Sequence, residues 1–578
     1  VNDEQAAEET ADPAAQLQAE QALRRLSGEA GLFQVPPRYR VDHTGVHRET
    51  TTREGETVWV QIAYAPFAPV RVHESFEGEQ WIELAWTDGD ATVRATVPRA
   101  VAKSGRKLVA ALGNRNLPVI ESDARQVERW LAVAESLNRA SIERIRVARQ
   151  LGWQPDGTFV LGDGRPYPVE PKFPEQVPAI QAHHERGTLE GWQRVVKLVQ
   201  PYPAAQIGMY AGFAAPLLEW LNLDSGTVDI SGRSSRGKST AAKLALSPWA
   251  RPAEKGGALA TWKTTLLALE KRLHLVNGLP VVIDETQTVK YDGIVNDVLY
   301  LVPFNQGTQR GAGYPSALPW RTVVVSTGER SALTYTREEG ASGRVLCVTE
   351  APFGTANGAL VNEIREGLEE HYGVAGPEFI EKLCERFAGP EGRDRLQNRH
   401  LRSAELHKTG GDLNQRRAPL IAALHLAGQL AYEFGIVPFE PPAAEVWQRI
   451  LGTSDHADNR PEMALDVIRE HVAAHMDELW SASGAVSGHQ PHSGWLGRRE
   501  KVDGGVRVGI LPERLRRILA DAKYELDAVV PGWLEAGALS LMPSQRPPHL
   551  VKRRLNGSQT RLYEFGPEVF PDEGGDTE

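Results

Sequence analysis

The sequence predicts an α/β fold, and three observations carry that expectation. A β-type run, Thr227 to Ser231, leads through a glycine loop into a helix that starts near Ser239. An apolar run, Leu279 to Ile283, ends in the acid pair Asp284-Glu285. Strand-like and helix-like segments then alternate to about residue 350, the layout of a parallel sheet flanked by helices. The full expectation is an NTPase core of P-loop type with a β-rich mixed N-terminal domain, a helical lid and a C-terminal winged helix.

The loop is the sharpest signal. Gly232-Arg233-Ser234-Ser235-Arg236-Gly237-Lys238-Ser239 fits G-x-x-x-x-G-K-[ST] at every fixed position. Glycines let backbone N–H groups turn inward around phosphate oxygens, and the helix N-terminus adds a favourable field. Gly232, Ser234, Ser235, Arg236, Gly237, Lys238, Ser239 and Thr240 are therefore the nucleotide-binding candidates. Lys238 is expected on the β- and γ-phosphates, and the Ser239 hydroxyl on Mg²⁺. The bland alternative is a glycine turn that binds nothing; the strand–loop–helix context weighs against it.

The acid pair supplies the second part. A buried parallel strand reads as a continuous apolar run. Asp284 is expected to hold Mg²⁺ with Ser239, and Glu285 to polarise the attacking water, so hydrolysis is expected rather than binding alone. A third strand, Trp320 to Val325, ends in Ser326-Thr327-Gly328-Glu329. Thr327 is the first choice for a sensor of the γ-phosphate or lytic water, and Ser326 the second. Arg344, just before another strand, is a candidate for a neighbouring subunit's γ-phosphate. Arg416 and Arg417, at the start of a long apolar helix, are candidates for a lid sensor, with Arg417 assigned to nucleotide binding.

Composition bounds the rest. The chain has 578 residues and a formal net charge of −10, which argues against DNA binding over the whole surface. No apolar run approaches a membrane span. Its two cysteines, Cys347 and Cys384, form no CxxC or Cys/His pattern, so neither a disulfide framework nor a zinc site is indicated. A cytoplasmic protein is expected. Residues 1–30 read as a disordered acidic tail, 31–185 as the N-terminal domain, 186–355 as the NTPase core and 356–480 as the helical lid. Residues 495–566 read as the winged-helix-like domain and 567–578 as a second acidic tail. Helices are expected near Ala124 to Ala132, over Ala140 to Gln150, and from Gly191 to about Leu221. Asp88 and Asp90 are read as hairpin-turn residues rather than metal ligands.

Two segments suit nucleic acid. The glycine-rich stretch Asn305 to Pro315 carries Arg310 for phosphate and Tyr314 for stacking on a single strand. The C-terminal segment is locally basic, with Arg553 and Arg554 as the chosen DNA contacts.

Several passages resemble the family catalogued as domain of unknown function 927, whose members look like AAA+ or superfamily-three helicases of phages and mobile elements. They include Thr188-Leu189-Glu190-Gly191-Trp192, the glycine loop followed by Trp249, and Thr264, Glu270 and His274 ahead of the acid pair. Trp320-Arg321 before Ser326-Thr327-Gly328-Glu329, and Arg417-Ala418 before the apolar helix, also fit. The segment Thr286-Gln287-Thr288-Val289 departs from the pattern. The resemblance implies a ring, expected as a homo-hexamer, that uses ATP and Mg²⁺ and acts on single-stranded or forked DNA as a helicase or replication-initiation motor. The competing reading is a regulatory or defence ATPase switch acting on a protein partner.

Overall fold

The computed structural model describes residues 33–571, apart from 90, 291–292, 309–318, 337–342, 355–357, 409–411, 453–459, 482–490, 493, 523 and 525. It is a mixed α/β chain with several sheets, and it divides into two compact units. The first takes Val1–Arg149 with Gly164–Lys172, and the second takes Gln150–Asp163 with Phe173–Glu578.

The first unit contains two sheets. Strands β1 (Tyr39–Asp42), β2 (Gly45–Thr51) and β3 (Thr57–Ala63) pair antiparallel in that order. Strands β4 (Phe67–Ser75), β5 (Gln80–Asp88), β6 (Ala91–Pro98) and β7 (Glu143–Val147) pair in the order β6-β5-β4-β7. Helix α1 (Ala124–Leu137) buries Val127, Trp130, Leu131 and Ala134, one stripe at helical spacing, against this core. The Trp130 indole donates to the Phe67 carbonyl at 3.0 Å, so the largest ring of the stripe leaves no polar atom stranded.

The helix expected over Ala140 to Gln150 is instead strand β7. Ile142, Ile145 and Val147 are β-branched, and Arg144 and Arg146 alternate with the last two, so a period of two prevails. β7 runs parallel to β4, with Arg71 beside Glu143.

The N-terminal unit also ends earlier than residue 185. β8 (Leu151–Trp153) pairs with β9 (Phe159–Val160) and with β12 (Val276–Asn277), which ties residues 150–163 to the second unit. The long helix expected from Gly191 is broken into α2 (Leu189–Lys197), α3 (Pro203–Ala214) and a short turn at Leu217–Leu221. Pro201, Pro203 and Pro216 mark the breaks, since proline lacks the N–H that an interior helical position donates.

The centre of the second unit is a five-stranded parallel sheet. Its members are β10 (Gly226–Ser231), β11 (Ala260–Thr261), β13 (Val281–Asp284), β14 (Val323–Gly328) and β15 (Val345–Val348). Their order is β11-β13-β14-β10-β15. β10, β13, β14 and β15 are buried at every position, the polar residues Asp229, Ser326 and Thr327 included, as in a sheet covered on both faces. Helices α4 (Lys238–Leu246) and α5 (Leu266–Leu275) belong to this core. Beyond it come α6 (Gly358–Glu370), α7 (Gly389–His407), α8 (Asp412–Glu433), α9 (Ala444–Gly452) and α10 (Arg460–Ala474).

At the C-terminus β16 (Leu479–Ser481), β17 (Gly497–Val502), β18 (Gly505–Ile510), β19 (Leu550–Leu555) and β20 (Ser558–Phe565) form a further sheet. Helices α11 (Pro512–Asp521) and α12 (Leu526–Glu535) share a separate core with it, including Leu515, Trp533 and Phe565. Among the described residues no helix is long and apolar enough to cross a membrane.

Candidate functional site at the carboxyl ends of the central sheet

The sheet order decides where the polar residues meet. β14 lies between β10, which leads into the glycine loop, and β13, which ends in the acid pair. All three run parallel, so their carboxyl ends open on the same edge. Ligands of open α/β sheets bind at such edges.

The loop backbone there departs from ordinary conformations. Gly232 has φ 142°, Ser235 φ 60° and Gly237 φ 79°. At Gly237 a side chain is doubly excluded, because a Cβ would also stand 2.5 Å from the Phe353 ring. Lys238, the first residue of α4, curls back over the loop. Its Nζ donates to the carbonyls of Gly232 and Arg233, each at 2.8 Å. Burial lowers the Lys238 pKa, and Glu329, Asp284 and Glu285 oppose that shift. Glu329 is the acid that sequence reasoning left without a role. Its place two residues past Thr327 at a strand end was the available signal.

The acid pair is held by hydroxyls. The Ser239 hydroxyl donates to Asp284 Oδ1 at 3.0 Å, and the Thr327 hydroxyl donates to the same oxygen. The Glu285 amide in turn donates to Thr327 Oγ1 at 3.0 Å. Glu285 itself sits in the left-handed region at φ 65°, with its side chain exposed. A non-glycine residue there carries backbone strain, which a surrounding network must over-determine. Thr327 is that network's hub. Its single hydroxyl proton is committed to Asp284, so in this state it positions the acid pair.

Ser326, the second choice for a sensor, faces the other way. It shares a register with Asp229 of β10 and Ile283 of β13, one residue out of phase with Thr327 and Asp284. The Trp262 indole donates to its hydroxyl at 3.2 Å. Asp229 on this second face accepts the Ala332 amide at 2.8 Å, and burial pushes its carboxyl up to about 6. Thr240 is buried, whereas Ser234 and Ser235 are exposed and Arg236 is half-buried.

The arginines lie elsewhere. Arg344 immediately precedes β15, and Val345 is in register with Thr227. It therefore stands at the amino end of the strands, on the order of 15–20 Å from the glycine loop for a six-residue strand. It is exposed. α8 passes the same end, because a Cβ on Gly343 would meet the Arg416 side chain at 3.2 Å and one on Gly226 would meet Leu420 at 2.4 Å. Arg417 is buried there, with 1% exposure. The structure thus does not bring Arg417 to the loop of its own chain. Helix sequence alone could not tell which end of the sheet its start would face.

At the C-terminus the two chosen arginines part company. Arg553 holds the buried Glu564 in a two-pronged ion pair, at 2.6 and 2.7 Å. Arg554 is exposed, on the opposite face of β19 with Lys552, and Lys552 stands directly across from Arg561 of β20. Arg310 and Tyr314 lie outside the described residues.

The family model described as domain of unknown function (DUF927) matches residues 39–316, a little under half of the chain. That stretch includes the glycine loop and the acid pair but ends before Thr327. No curated protein matches in sequence. A solved structure described as "SCCmec type IV Cch - active helicase" is similar in fold, with a TM-score of 0.63 at 19% identity. The alignment covers 93% of this chain and 99% of that one. The apo structure of the NrS-1 C terminal region aligns over 86% of this chain and 96% of its own, at 11% identity and a TM-score of 0.26, too low to speak for a shared fold.

Proposed function

We propose that the chain is a P-loop ATPase that works as a ring-shaped motor on single-stranded or forked DNA. One observation carries the catalytic part: Lys238, Ser239, Asp284, Glu285 and Thr327, from three separate strand ends, converge at a single sheet edge.

In this reading the loop amides and Lys238 bind the triphosphate, with Lys238 exchanging loop carbonyls for β- and γ-phosphate oxygens. The site fits Mg²⁺. Ser239 Oγ and Asp284 Oδ1 are hard oxygen donors 3.0 Å apart. Among the described residues no cluster of three metal-binding side chains is present, and Mg²⁺ needs only one or two protein oxygens beside phosphate and water. When bound, the ion neutralises phosphate charge. Glu285, exposed and aimed by its left-handed backbone, orients the attacking water and accepts its proton. Thr327 holds Asp284 and Glu285 in register. Arg344 serves the site of the neighbouring subunit, because its own site lies at the other end of the sheet.

The DNA part is supported by likeness in fold to a protein described as a helicase, and by the C-terminal hairpin. Like charges directly opposite on a β-ribbon repel, so Lys552 facing Arg561, with Arg554 alongside, suits a polyanion. Arg553 is reassigned to structure. The C-terminal module is read as a winged helix and the assembly as a hexamer.

Hydrolysis of ATP at low salt, with and without single-stranded DNA and with Glu285→Gln as the blank, tests the reading. A several-fold rise with DNA is expected. Hydrolysis that ignores DNA would move the chain to the class of regulatory or defence switches acting on a protein.

A further inference from the structure

One cleft of the second unit plays no part in the site above. It is an open cleft of about 670 Å³ between residues 254–265, helix α5 and the turn at Pro174–Gln176. That volume is within the range of small-molecule sites.

Its charge is unbalanced. Lys271 is spent on Glu175, and its Nζ lies 4.3 Å from the Phe173 ring centroid. Lys255, Lys263 and Arg272 then face the single remaining acid of the lining, Glu254. Arg272 is the informative member. One of its donors goes to the Ala258 carbonyl, and among the described residues no carboxylate pairs with it. Burial alone pulls its pKa down, to about 10. Its charged neighbourhood includes His183, whose ring burial holds neutral with a pKa of about 4. A half-buried guanidinium with no acid beside it is costly to desolvate, and such groups are usually paired.

The remaining lining is apolar. Leu259, Leu269 and Leu275 are buried or nearly so, and Leu267 stands 41% exposed. An exposed leucine and an excess of cations in one cleft suit a base and a phosphate together.

We propose that this cleft binds a phosphorylated ligand of mononucleotide size, with the base against Leu267 and the phosphate on Arg272 and Lys263. The ligand is a free nucleotide or one nucleotide unit of a single strand, which share this chemistry. The proposal holds whether or not the sheet-edge site hydrolyses ATP, and wild-type hydrolysis reports on that site separately.

The test uses the full chain on a Lys238→Ala background, titrated with a fluorescent ADP analogue and with a fluorescent oligothymidine. Arg272→Gln and, separately, the exposed-residue change Lys263→Ala are compared with the background. Both are expected to weaken at least one probe by about tenfold, while Arg272→Gln leaves the melting temperature unchanged or higher because it removes an unpaired cation. Loss of the ADP analogue identifies a free nucleotide, and loss of the oligothymidine identifies a strand. If Arg272→Gln fails to fold, Lys263→Ala decides alone. Unchanged affinity for both probes in the folded variants overturns the proposal.

Discussion

The two ends of the central sheet are opposites. At the carboxyl end the polar groups of the site engage one another, Lys238 with loop carbonyls, Asp284 with two hydroxyls and the Glu285 amide with Thr327, while the Glu285 side chain stays exposed. At the amino end Arg344 is exposed, one residue past Gly343, against which the Arg416 side chain packs. The strands hold these ends apart, so no rotation of side chains unites them. The role proposed for Arg344 therefore lies in the site of a neighbouring copy of the chain.

Removing groups from one end at a time sharpens this contrast. The largest effect belongs to the carboxyl end, where Glu285→Gln should lower turnover by on the order of 10⁴-fold while ATP still binds, as read by steady-state hydrolysis beside nucleotide binding. At the amino end Arg344→Ala should lower turnover by about 10³-fold with little change in ATP affinity. Equal loss of affinity and turnover would break the comparison.

Charges that are fully paired within one chain provide the counterexample. In the first unit His73 lies 3.2 Å from both Glu83 and Glu170, and Arg71 and Arg94 also reach Glu83. Burial works to lower the His73 pKa, and pairing of the ring with the Glu170 and Glu83 carboxylates, which accept from it, outweighs burial and raises it to about 9; the same pairing leads the causes that lower Glu83 to about 2. The His73 contribution to stability is therefore complete below its ordinary 6.5 and is lost as pH rises through about 9. The Glu83 contribution is complete above its ordinary 4.5 and is lost as pH falls toward about 2. Glu83→Gln should cost about 3 kcal/mol near neutral pH and flatten the decline between 6.5 and about 9, as denaturant midpoints against pH will show. Turnover per folded molecule should not move.

The smallest effect tests the hub. Thr327→Val keeps the shape and removes the hydroxyl, leaving the Glu285 amide without a partner and Asp284 held by Ser239 alone, at a cost of about 1–3 kcal/mol in the placement of the acids. Turnover should fall by about tenfold to a hundredfold, and Thr327→Ser should restore most of it. A Val variant with normal turnover would remove Thr327 from the mechanism.

Legibility followed the distance over which each signal acts. The glycine loop and acid pair were readable because each is a contiguous string whose chemistry needs its neighbours in order. The role of Thr327 was only half readable: a polar strand end is local, but its bond to Asp284 depends on β14 lying between β10 and β13. The sequence points Arg417 to the nucleotide because it opens a long helix, and only the fold says which sheet end that helix passes. Arg553 and Arg554 are neighbours in sequence and face opposite ways on a strand, so one pairs with Glu564 and the other meets solvent. The strand over Glu143–Val147 was misread because Arg and Glu favour helices while its β-branched alternation favours a strand, and pairing with β4 decides. Arg272 was invisible, since its signal is a missing partner.

Mixing two inactive variants shows whether the two ends of the sheet meet across subunits. Lys238→Ala disables the carboxyl end and Arg344→Ala the amino end. If the ends meet across subunits, mixed assemblies contain some interfaces with an intact Lys238 and an intact Arg344, and ATP hydrolysis reappears well above either variant alone. Hydrolysis that stays at the level of the separate variants, in assemblies shown to exchange subunits, would contradict the account and return Arg344 to a role within its own chain.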